Sequence, residues 1–139
     1  TGVFPEQEPN WVWIKDRVKA LDKPQVLNLF GYTGAATLAA AHPGAIVTHV
    51  DASKQSLDWA HENARLTELP EESVRWILDD AFAFAKREVR RDAKYDGIIL
   101  DPPAFGRGAK GEVWKIEEDL PMLLATLKEL LSDAPCSFL

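Results

Sequence analysis

Apolar residues in this chain fall into two alternating patterns. In the first, nearly every position of a short run is apolar: Val26-Leu27-Asn28-Leu29-Phe30, Ala45 to Val50, Val74 to Leu78, Tyr95 to Leu100 and Cys136 to Leu139. Such runs read as strands buried on both faces. In the second, apolar residues recur three or four apart, as on one face of a helix. Trp11, Ile14, Val18 and Leu21 do so after Asn10, which can cap that helix, and Pro24 stops it. Ala35 to Ala41 makes an Ala-rich helix ended by His42-Pro43-Gly44. Ser53 caps a helix along Leu57, Ala60 and Ala64; another runs through Phe82, Ala85 and Val89 to Arg90-Arg91. A glycine-rich loop from Gly106 to Gly111 then leads to a helix carrying Leu120, Leu123, Leu124, Leu127 and Leu130.

Strands alternating with helices predict an α/β fold: a doubly wound, mostly parallel sheet covered on both faces. Residues 1–24 read as a lead-in segment and helix, and 25–139 as the domain itself. The last strand meets the end of the chain, so the sheet is expected to be cut short after its fifth strand. Its open edge is then expected to be exposed or to associate with another chain.

Composition narrows the class without choosing a function. The chain has 139 residues, 46% of them hydrophobic and 27% charged, as in an ordinary globular domain with a real core. The net charge of −6 argues against a broad nucleic-acid footprint, though it leaves room for a local basic patch. One cysteine, Cys136, excludes an intrachain disulfide and suits a reducing cytoplasm; its apolar context reads as structural. His42, His49 and His61 are scattered without metal-ligand spacing.

The chemistry gathers where strands end. After the first, Phe30-Gly31-Tyr32-Thr33-Gly34 offers two glycines where a backbone approaches a ligand or takes positive φ. The spacing meets neither the dinucleotide nor the P-loop fingerprint. Asp51 closes the second strand, where an acid can accept from ribose hydroxyls; capping of the next helix is the plainer reading. Asp79-Asp80-Ala81 closes the third, with a carboxylate and an N–H suited to a base edge or, equally, to a helix cap. Asp101-Pro102-Pro103-Ala104-Phe105 closes the fourth with a rigid turn carrying a carboxylate, free carbonyls and an aromatic ring. That acceptor cluster suits a planar group bearing N–H donors. In the loop beyond it, Arg107 and Lys110 can meet phosphate and Trp114 can stack on a base, unless the loop is simply solvated surface.

Taken together, Leu27 to Gly34, Asp51-Ala52-Ser53, Asp79-Asp80-Ala81 and Tyr95-Asp96 through Phe105 resemble class I S-adenosylmethionine-dependent methyltransferases. The nearest group is the bacterial enzymes similar to 23S ribosomal RNA cytosine-5 methyltransferases. The resemblance implies a Rossmann-like fold and S-adenosylmethionine as cofactor. Phe30, Gly31, Tyr32, Thr33 and Gly34 would cradle its methionine end, with Phe4 and Gln7 approaching it. Asp51 would hold the ribose, Ala52 and Ser53 would lie beside it, and Asp80 with Ala81 would read the adenine. Asp101, Pro102, Pro103 and Phe105 would face the substrate, a base in RNA. For cytosine C5, a thiolate must add at C6 before the carbon becomes nucleophilic. The family's cysteine follows the fifth strand, so Cys136 stands at the wrong end of it. Two other readings remain: a nicotinamide-dependent oxidoreductase, for which Asp51 serves equally well, and a non-catalytic cofactor-binding or assembly domain.

Overall fold

In the computed structural model, which describes residues 8–107 and 113–132, four parallel strands form the central sheet. They are β1 (Gln25–Leu29), β2 (Ile46–Asp51), β3 (Val74–Leu78) and β4 (Gly97–Leu100), in the spatial order β3-β2-β1-β4. Helices α1 (Glu8–Lys19), α2 (Ala35–Ala41), α3 (Lys54–Leu66), α4 (Ala81–Arg90) and α5 (Ile116–Lys128) surround it.

The apolar runs are strands because both of their faces are covered. Val26, Val47 and Ile99 join Ile14 and Val18 of α1 and Ala39 to Ala41 of α2 in one core. Leu27, Leu29, Val50, Ile98 and Leu100 point the other way, into a second core with Phe84 and Ala85 of α4 and Leu123 and Leu127 of α5. Period-two alternation thus feeds two hydrophobic layers, and the α/β sandwich follows.

The second core also takes in a charge. Glu88 of α4 is buried, where it accepts from the Tyr95 hydroxyl at 2.5 Å and pairs with Arg91 at 2.5 Å. A buried carboxylate is tolerated when it is hydrogen-bonded and paired in this way.

Three features differ from the sequence expectation. Helix α1 starts at Glu8, ahead of Asn10, and ends at Lys19, so Leu21 lies beyond it and is exposed. Lys23, in a left-handed conformation (φ 45°), turns the chain before Pro24 is reached. The Tyr95 run becomes a strand only at Gly97; Tyr95 makes an isolated parallel bridge to Leu131 instead. The segment after Asp-Pro-Pro is no plain loop. Phe105–Arg107 (β5) and Val113–Lys115 (β6) pair antiparallel, with Gly106 opposite Trp114. Three-residue strands carry too few alternations to register as a period. The expected fifth strand, Cys136 to Leu139, lies outside the described residues, together with Phe4, Gln7 and Lys110.

Candidate functional site

The strand order places the chemistry. The chain runs outward from β1 through β2 to β3, then returns to lay β4 on the other side of β1. Ligands of open α/β sheets bind at such a reversal, beyond the C-terminal strand ends. Here a cavity of about 550 Å³ opens, a volume in the range of small-molecule sites.

Phe30 and Tyr32 of the first turn line it, and the backbone there is held in an uncommon shape. Both take left-handed φ, 57° and 51°, and Gly34 takes 94°. Such conformations persist in non-glycine residues only where the surroundings enforce them. Asp51 is one enforcer: its Oδ2 accepts from the Tyr32 N–H at 2.9 Å. Gly31 N–H donates to Val50 at 3.0 Å, and Gly34 N–H to Gly31 at 3.1 Å. Gly31 itself needs no positive φ. It is glycine because a Cβ there would lie 2.3 Å from the His49 ring. Gly31, Thr33 and Gly34 stand behind the turn and do not line the cavity.

The end of β2 contributes Asp51, Ala52 and Ser53. Ser53, not Asp51, caps α3: its hydroxyl accepts from Ser56 N–H at 3.2 Å. Asp51 is thereby released from capping. Its Oδ1 accepts from Ser53 N–H at 2.8 Å, so each oxygen is oriented by one backbone donor and keeps accepting capacity toward the cavity.

At the end of β3 the two acids divide their work. Asp80 caps α4, accepting from Ala83 N–H at 2.8 Å. Asp79 lies 2.6 Å from the Arg87 guanidinium, and its backbone N–H donates to Asp51 C=O at 3.0 Å. Both acids and Ala81 border the cavity.

Asp101, Pro102 and Pro103 form the opposite wall. Among the described residues, nothing donates to the Asp101 carboxylate or the Pro102 carbonyl. The Pro103 carbonyl, by contrast, accepts from the Trp114 indole N–H at 2.7 Å. Phe105 is 54% exposed and stands outside the cavity.

Trp114 departs from the sequence expectation of a loop residue reaching for a base. It is 8% exposed, lines the cavity, and packs on Phe30 with ring centroids 5.0 Å apart. The β5–β6 hairpin turns it inward, and its polar tip is already satisfied. No local pattern announces this: Val113 and Trp114 are both apolar, and only the pairing with β5 decides which of them turns inward. Of the expected phosphate contacts, Lys110 is outside the described residues and Arg107 is placed only by its backbone in β5.

Beneath the first turn lies a polar chain whose three members stand far enough apart in sequence that no local pattern joins them. Asn28 Nδ2 donates to Thr37 Oγ1 at 2.9 Å, and Thr37 Oγ1 lies 2.8 Å from His49 Nδ1. All three are buried. Burial holds His49 near a pKa of about 4, despite a hydrogen bond with the Tyr32 backbone acting in the opposite direction. In the unfolded chain this histidine titrates near its ordinary 6.5. Between those values the unfolded state binds the extra proton, so stability falls as pH drops from about 6.5 toward 4. Denaturant melts across that window should show a loss of about 3 kcal/mol that His49→Gln largely abolishes. An unchanged pH dependence in that variant would contradict it.

Residues 1–137 match the family model described as S-adenosylmethionine-dependent methyltransferase. A ribosomal RNA large subunit methyltransferase K/L from Syntrophotalea carbinolica is 39% identical over 106 residues, covering 76% of this chain and 14% of the relative. Its counterpart in Shewanella frigidimarina is 34% identical over 134 residues, covering 95% of this chain and 18% of the relative. Among solved structures, an S-adenosylmethionine-dependent methyltransferase from Agrobacterium tumefaciens superposes with a TM-score of 0.92. It is 53% identical, over 96% of this chain and 43% of that one. A second solved chain, in complex with S-adenosylhomocysteine, gives a TM-score of 0.84 at 33% identity, over 96% of this chain and 34% of that one. This chain therefore spans less than half the length of these relatives. With the strand-end cavity, the parallel sheet and the family match in agreement, the chain belongs to the S-adenosylmethionine-dependent methyltransferases.

Proposed function

We propose that this chain is the catalytic part of a cytoplasmic enzyme that methylates a base in RNA, with ribosomal RNA as its substrate. The observation that carries the proposal is the pairing of two walls across one cavity. Asp51 stands on one, aimed by two backbone N–H groups; the open Asp101 carboxylate and Pro102 carbonyl stand on the other. The named relatives supply the ribosomal RNA.

The cofactor fits the donor set. Its ribose hydroxyls would donate to Asp51, Ala52 would lie against the adenine, and Asp80 with Ala81 would read the adenine edge. Asp80 retains one carboxylate oxygen beyond its cap bond for this. Phe30 and Tyr32 would border the methionine end. A cavity edged by Asp51, Asp79, Asp80 and Asp101 favours a cationic guest, and the cofactor carries a sulfonium and an ammonium. When bound, it supplies an electrophilic methyl group.

The protein's own task is alignment and exclusion of water. Asp101 and Pro102 would orient a base by accepting its N–H hydrogens, and Phe105 would meet it from outside the cavity. The base must be single-stranded or flipped out of its stack. A cytosine-5 reaction additionally needs a placed thiolate. Residues 25–139 would constitute the cofactor domain, with 1–24 leading into it.

Calorimetric titration with S-adenosylhomocysteine should show one site per chain, and NADH should give no heat. Tritiated methyl should then pass to total RNA in the presence of the intact protein, with the modified nucleoside identified after digestion. A folded protein that ignores S-adenosylhomocysteine, or binds NADH in preference, would overturn the proposal.

A further inference from the structure

We propose that Trp114 is a positioning residue that ties the cofactor turn to the substrate turn. The inference rests on the methyl-transfer reading of the cavity.

The need for such a tie follows from the Asp-Pro-Pro sequence. Pro102 and Pro103 lack N–H groups, so these two residues can be fastened by hydrogen bonds only through their carbonyls. Proline fixes φ but leaves ψ free. A donor on the Pro103 carbonyl restrains the ψ of Pro103 and so anchors the end of the rigid segment that carries Asp101 and Pro102. The Trp114 indole N–H is that donor, at 2.7 Å. Hairpin pairing brings it there: Trp114 is in register with Gly106, whose chain lies close to the Pro103 ring. A further bond, from Ile116 N–H to Ala104 C=O at 3.1 Å, holds β6 along the turn.

The same indole acts on the other wall. Its ring packs at 5.0 Å and 54° on Phe30, a non-glycine residue at φ 57°. That conformation needs external support. One side chain therefore touches the turn after β1 and the turn after β4, and through them sets the spacing between cofactor and acceptor. It also selects the acceptors. With the Pro103 carbonyl occupied, the Asp101 carboxylate and the Pro102 carbonyl are left to read the substrate.

A tryptophan that merely fills the core would change stability and little else, and paired variants separate the two roles. Trp114→Phe keeps a ring against Phe30 and deletes the N–H. It should bind S-adenosylhomocysteine within about threefold of wild type while kcat on RNA falls about tenfold. Trp114→Leu also loses the aromatic contact, and should weaken S-adenosylhomocysteine binding a further five- to tenfold. Wild-type kcat in Trp114→Phe would overturn the inference, as would losses of affinity and rate in equal measure. Should Trp114→Phe fail to fold, hydrogen exchange of the wild-type indole N–H groups decides. One of the five must be strongly protected, and saturating S-adenosylhomocysteine must slow its exchange further. Five freely exchanging indoles, or protection indifferent to the cofactor, would refute the tie. If wild type fails to bind S-adenosylhomocysteine at all, the methyl-transfer reading falls first, and the absence of a protected indole is then a separate result.

Discussion

Replacing Asp51 with alanine is expected to weaken S-adenosylhomocysteine binding by about 100-fold or more. Two losses combine. The carboxylate would no longer accept from the ribose hydroxyls, each a charge-assisted bond of about 1.5–3 kcal/mol. The Tyr32 and Ser53 N–H groups would also lose the acceptor that shapes the first turn. Asparagine should restore only part of the affinity. It keeps one carbonyl oxygen, but its NH2 group would face a backbone N–H where the carboxylate presents an acceptor. Because Ser53 caps α3 independently, unfolding of Asp51→Ala should shift by only a few degrees. Calorimetry and thermal melts on the same samples test both statements. Unchanged affinity would remove Asp51 from the cofactor site.

Gly31→Ala should be strongly destabilising for a single added methyl group. The added Cβ would sit 2.3 Å from His49 Cε1 and 2.6 Å from both ring nitrogens. The imidazole has no room to withdraw. Thr37 holds its Nδ1, Asn28 holds Thr37, and Trp76 packs on its face with centroids 5.0 Å apart. Overpacking of this severity costs about 3 kcal/mol, a fall in Tm on the order of 10 °C. The clash is local, so Gly31→Ala combined with His49→Ala should melt higher than Gly31→Ala alone, despite losing the histidine's hydrogen bonds. A Gly31→Ala protein with wild-type Tm would show that the turn can move away from His49.

These two residues mark how far the sequence could be read. Asp51 was recognisable because a polar residue that ends an apolar run must lie at a strand terminus, and parallel strands terminate at one edge. The acid's availability was only half legible: Ser53 reads as the cap of α3, but Asp51 is eligible to share that role. The backbone gives the cap to Ser53. At Gly31 the expected positive φ is absent, and the structure supplies a different reason for glycine. Glycine is required there by a histidine 18 positions away in sequence, through the register that pairs Asn28 with His49. Positive φ falls on Gly34, as a glycine there allows, but also on Phe30 and Tyr32, where side-chain identity gave no hint of it.

Local rules were enough for the order of the five helices and the four central strands, the two-layer burial and the row of polar strand ends, including Asp101-Pro102-Pro103. Apolar periodicity and proline's missing N–H act over a few residues, so they are written directly in the chain. The β5–β6 hairpin, the inward Trp114, the Asn28–Thr37–His49 chain and the division of work between Asp79 and Asp80 were decided only in three dimensions. Each depends on which residues distant in sequence share a space, and on which of several competent donors reaches an acceptor first. Propensity does not encode that competition; packing settles it.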